Sequence, residues 1–199
     1  MATLKTVPTN NNDSNVTVVP QPVWPLPKLS GVQPVLLVHD PSDPGVELAY
    51  EHKHDPDGPL VRSTRGIGTS PFYLPPLTPV FAVFDGRVMY AGKHADGHTI
   101  IIEHANGWMT FYSHLEQMFV LPTDRRHRAR PQHTKVGNIL GYAGKIGLDS
   151  IRPIRFELWK YDEHSGYVAI DPIRFMRRWR VRAWSQGLAV NASPSAEAA

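Results

Sequence analysis

The hydrophobic pattern is weak at the start of the 199-residue chain and becomes clear after residue 79. "PVFAVFDGRVMYAG" (79–92) is an apolar run, an Asp85-Gly86 turn and a second run. "HTIIIEHANGWMTFYSHL" (98–115) sets Asn106-Gly107 between two β-rich segments. Asn-Gly accepts the positive φ angles of a type I′ turn, so this is the strongest hairpin signal in the chain. "TKVGNILGYAG" (134–144), "IRFELWK" (154–160) and "YVAIDP" (167–172) add three short strands. Six or so short strands with Gly and Asn turns and no long helical period predict a mostly β protein, an antiparallel β sheet or sandwich.

The ends differ from this middle. Residues 1–59 are expected as an extended Pro/Asn-rich arm and loop, with one short strand at "VLLV" (35–38). Asp171-Pro172 is a plausible N-cap and first helical position, so a short basic helix is expected from there, its end and a frayed tail filling 177–199. Residues 60–176 form the expected domain between them.

One strand raises a question. Ile154, Phe156 and Leu158 fall on one face and Arg155 and Glu157 on the other. A cation in what otherwise reads as a core strand calls for a reason.

Composition narrows the chemistry. Hydrophobic residues make up 41% and charged residues 20%, as in ordinary globular chains, but 19 prolines and 15 glycines favour turns. There is no cysteine, so any metal would rest on His and carboxylates. No window approaches the roughly 18 apolar residues of a membrane span. Residues 1–30 lack a basic start followed by an apolar run, so synthesis in the cytoplasm without a signal peptide is expected. Net charge is only +3, yet nine of the fourteen arginines lie in "RRHRAR" (125–130) and "RFMRRWRVR" (174–182). Such runs are solvated loop and terminal charge, or a contact with an acidic protein, phosphate or wall polymer. Without a stacking-aromatic pattern beyond Trp179 and Trp184, nucleic acid is not expected as a partner.

The ordered series Pro79–Val88, Asp96–Asn106, Tyr112-Ser113-His114-Leu115, Val136–Gly144 and Gly166–Pro172 resembles the lysostaphin or LytM-like family of zinc peptidases, which cleave peptide cross-links in bacterial walls. The resemblance implies an antiparallel β structure with a groove over its sheet. It also implies one zinc held by the His and Asp of an H-x-x-x-D motif and the second His of an H-x-H motif. The first His of H-x-H and the His of the Tyr-x-His-Leu segment would assist catalysis.

In that register this chain departs from the family. Pro153 and Arg155 stand where the H-x-H histidines would be, and Thr64 and Gly68 where the first His and the Asp would be; His114 alone remains. Arginine has no lone pair for a metal, and proline has no side-chain base. The expected reading is a degenerate domain without catalytic residues or cofactor, with His114 vestigial and Arg155 paired to Glu157 on the groove floor. Zinc returns only if a site is rebuilt, for which His39, Asp43, His52 and His54 offer H-x-x-x-D and H-x-H spacings. His98 and His104, beside turns, are expected at the surface or an edge.

The expected function is structural: a component of a bacteriophage tail or baseplate, carried in the particle, with protein partners engaged by the N-terminal arm and the basic C-terminal segment. The alternatives are a peptidoglycan-binding or amidase-activating module, or a peptidoglycan endopeptidase with a rearranged zinc site.

Overall fold

The computed structural model describes residues 21–37, 43–51, 72–123, 131–146 and 150–185. In chain order these form β1 (Lys28–Leu29), β2 (Pro34–Leu36), β3 (Gly45–Glu51), β4 (Phe72–Tyr73), β5 (Thr78–Phe81), β6 (Gly86–His94), β7 (Gly97–His104) and β8 (Trp108–Met118). There follow β9 (Gln132–Thr134), β10 (Ile139–Ala143), β11 (Lys145–Ile146), β12 (Ser150–Ile151), β13 (Ile154–Asp162), β14 (Gly166–Ile170), α1 (Ile173–Met176) and β15 (Ala183–Trp184). Eleven strands make one antiparallel sheet whose main path runs β2-β3-β13-β8-β7-β6-β9.

The β7–β8 hairpin forms where Asn106-Gly107 was expected to turn the chain. Its loop is the 3-10 turn Ala105–Gly107, with φ of 60° at Asn106 and 71° at Gly107. A β-branched residue would strain at either angle, which is why the turn needs this pair.

The alternation along β13 also becomes structure. Ile154, Phe156 and Leu158 are at most 1% exposed and pack with Tyr112, Ile100 and Ile102 of β8 and β7. Arg155, Glu157 and Trp159 point to the opposite face. The sheet is therefore dry on one side and polar on the other.

Two expectations about the ends need correction. The stretch expected as an arm enters the sheet: β3 pairs with β13 from Ile154↔Leu48 to Glu157↔Gly45, and Leu48, Ala49 and Tyr50 are fully buried. The composition misleads because a Pro/Asp/His-rich loop leads into an almost continuously apolar strand. The basic helix is only one turn, Ile173–Met176, closed by Arg178 and Trp179 amides on Phe175 and Met176 carbonyls. Arg177 and Arg178 continue as a turn and Trp179 stands at a bend that brings its ring to the core, 5.3 Å from Phe84 and 5.9 Å from Phe156; the chain runs extended from Arg180 on. The backbone then pairs parallel with the N-terminal segment, Val23 with Arg180 and Lys28 with Ala183.

Candidate groove site

Arg155 lies near the start of β13, opposite Glu47 of β3 on one side and Ser113 of β8 on the other. Its guanidinium is fully directed. Nη1 and Nη2 donate to the two carboxylate oxygens of Asp43 at 2.8 and 2.5 Å, and Nε donates to Glu157 Oε1 at 2.8 Å. Trp159 Nε1 donates to the other Glu157 oxygen at 2.9 Å. The fork matches a carboxylate bidentately, the strongest geometry available to a guanidinium. The hydrogen bonds to Asp43, with Glu157 beside them, hold the arginine's pKa above its ordinary value.

Local sequence sets this up. Asp43 Oδ1 also accepts from the Gly45 amide at 2.9 Å, fixing the entry into β3. A side chain at Gly45 would meet Arg155 Cζ at 2.6 Å, so the glycine leaves the bed on which the guanidinium rests.

His114 sits where β8 changes partners, from β13 at Ser113↔Arg155 to β10 at Leu115↔Ala143. The same point is a bulge against β7, and the His114 backbone takes φ 67°. Non-glycine residues adopt that conformation at a cost of about 1 kcal/mol or more, and it re-aims the side chain. The imidazole points to Pro153, whose carbonyl accepts from Nδ1 at 2.9 Å. Nδ1 thus carries the proton, leaving the Nε2 lone pair on the neutral ring. Burial lowers the His114 pKa, and the charge of Arg152 adds to that. Arg152 itself pairs with Asp96 at 3.0 Å. Along the same face, Thr99 donates to Ser113 at 3.2 Å.

The structure sets His114 against the Pro153 carbonyl and Arg155 against Glu157. A further residue joins the site: the Asp43 carboxylate clamps Arg155. No local signal links residues 112 positions apart. Thr64, Gly68, His39, His52 and His54 lie outside the described residues.

His104 corrects another expectation. Far from the surface, it is 8% exposed, with Nδ1 donating to the Asp85 carbonyl at 2.9 Å and Nε2 facing Thr110 Oγ1 at 2.7 Å. Its pKa is lowered by burial. The hairpin turn beside it suggested exposure, but the ring folds inward against Phe84. His98 is part-buried, its Nδ1 3.3 Å from the Leu115 carbonyl.

Zinc can be tested against these groups. At the two described positions of the family's H-x-H pair, Arg155 presents a bound cation with no lone pair, and the Pro153 carbonyl is engaged by His114. Among the described residues no three His, Asp or Glu side chains stand together as a metal-binding group. The residues present do not fit the metal at this place. No helix among the described residues is long and apolar enough to cross a membrane.

A mostly β chain built on one large antiparallel sheet defines the class: a lysostaphin-like β domain. The sequence profile of peptidase family M23 matches residues 68–172, and the chain belongs to that family. It is 34% identical over 83 residues to the cell division protein DipM of Caulobacter vibrioides, a match covering 41% of this chain and 12% of that protein. It is 30% identical over 99 residues to the murein hydrolase activator NlpD of Escherichia coli, covering 49% of this chain and 22% of that protein. The chain thus spans less than a quarter of either relative. Among solved structures, lytM from Ruminococcus gnavus shares the fold, with a TM-score of 0.50 at 16% identity, covering 83% of this chain and 64% of that one.

Proposed function

We propose that this chain is a non-catalytic M23 domain that acts by binding, and that it stimulates a separate murein hydrolase at the peptidoglycan. One observation carries the reading: where the family would place a metal-ligating histidine, a guanidinium is locked by Asp43 and Glu157. A zinc-bound water needs an open coordination position and free imidazoles. Here one imidazole of that set remains, His114, and among the described residues no two further His, Asp or Glu side chains join it as a metal-binding group.

The similarity to a protein named a murein hydrolase activator supports the role. The groove face is kept in ordered polar form, which suits recognition of wall peptide or of a protein partner. Carriage in a phage particle is a separate proposal that rests on the sequence alone.

The test is a wall-clearing assay with purified chain, a separate wall amidase, and both together. The expected result is no clearing by the chain alone and faster clearing by the amidase when the chain is present. Clearing by the chain alone, abolished by a zinc chelator, would instead establish an endopeptidase with a rearranged metal site.

A further inference from the structure

The groove is on the polar face of the sheet; a second surface lies over the dry face. There α1, the turn after it and the extended stretch from Arg180 cross as a strap. Met176 is fully buried and Trp179 is 8% exposed, so both act as anchors. The N-terminal segment grips it through main-chain bonds: Trp24 N to Arg180 O at 2.8 Å, Arg180 N to Pro22 O at 3.1 Å and Lys28 N to Arg182 O at 2.6 Å. The Trp24 indole adds a bond to the Met176 carbonyl at 2.8 Å.

The strap's arginines face water. Arg174, Arg177, Arg178, Arg180 and Arg182 are all exposed. Among the described residues the strap's acidic neighbour is Asp171, 3.8 Å from Arg174, and no ion pair is formed by the other four. Arg182 is oriented, donating to the Gly137 carbonyl and lying 4.9 Å from the Phe81 ring centre. Arg180 and Arg182, with Val23, Val136, Gly137 and Val181, line a cleft of about 440 Å³.

We infer that this strap is a docking surface for an acidic segment of a protein partner. Charge complementarity fixes the sign, since a dense row of cations with one counter-charge repels itself until an anion arrives. Guanidinium forks prefer carboxylates in bidentate pairs. The cleft between the two arginines has room for a side chain of such a segment. Nucleic acid fits poorly, because the rings that would stack on bases are used: Trp179 is buried in the core and Trp184 packs edge-on to Phe81. The backbone is already fixed by the N-terminal grip, so little ordering is left for binding. The surface is independent of whether the groove is catalytic.

The experiment uses the full chain and a fluorescein-labelled peptide of alternating Glu and Leu, read by fluorescence anisotropy. Arg177→Gln/Arg180→Gln should weaken binding roughly tenfold or more, as loss of charge-assisted pairs implies. Arg177→Gln/Arg178→Gln, which changes no residue paired to the N-terminal segment, should weaken it in the same direction. Arg87→Gln/Lys93→Gln removes equal charge elsewhere and should stay within about twofold. The proposal is overturned if the wild type does not bind the peptide, if the Arg87/Lys93 variant loses as much, or if inorganic polyphosphate binds more tightly than the peptide.

Discussion

Phe156 and Arg155 are neighbours on one strand, and their surroundings could hardly differ more. Phe156 is fully buried, 5.4 Å from Tyr112 and 5.9 Å from Trp179 by ring centres. Arg155 keeps 23% of its side chain in water and meets two carboxylates. The dry face is held by packing that any hydrophobic residue of the right size would serve. The polar face is held by a specific charge set, and such a set is where one substitution changes chemistry without changing the fold. That contrast shows how a chain can keep the family's sheet while the charges on its polar face change.

The largest effect should come from the dry face. Phe156→Ala should cost about 3–5 kcal/mol of stability in chemical denaturation, through lost burial and a cavity. If it costs less than Arg155→Ala, the division between faces is wrong.

Arg155→Ala should cost about 1–3 kcal/mol, because it leaves Asp43 and Glu157 side by side without their cation; partial exposure keeps the figure below that of a fully buried pair. A double-mutant cycle with Asp43→Ala sharpens this. A coupling energy of at least about 0.5 kcal/mol is expected, and additive losses would mean the clamp does not act as a unit.

Histidine gives a pH signature. His104 and His114 both have folded pKa values lowered by burial, so the unfolded chain binds protons more readily than the folded one. The stability from their neutral forms is fully present above the ordinary histidine value of about 6.5 and is lost as pH falls from there through the lower folded values. The melting temperature should fall over that range, and His104→Gln should flatten the fall. A melting temperature unchanged between pH 7 and pH 5 would contradict burial of these rings.

The smallest effect is expected on the strap. Arg177→Gln/Arg178→Gln should shift stability by no more than about 0.5 kcal/mol, as for exposed charges without partners. A large loss would show that these arginines support the fold rather than wait for a ligand.

Much of this was legible in the sequence because it is local. Asn106-Gly107 announced its hairpin, the two-residue alternation of Ile154–Leu158 assigned the faces, and Asp171-Pro172 marked the start of α1. The register that put Arg155 on the groove face, with Glu157 as partner, also came from one short stretch. What escaped depends on distance. Asp43 reaches Arg155 only because β3 docks along the first half of β13, and a proline-rich loop hid that strand. His104 looked exposed beside its turn, but its ring is drawn inward by the Asp85 carbonyl and Thr110. The expected basic helix starts beside Asp171-Pro172 but is short, because the chain bends at Trp179, whose ring is buried in the core.

The central claim is that a clamped guanidinium has taken a metal ligand's place. The most direct measurement is zinc content by elemental analysis of the full chain, purified without chelators and dialysed against micromolar zinc. The account predicts far less than one zinc per chain. About one tightly held zinc per chain would contradict it.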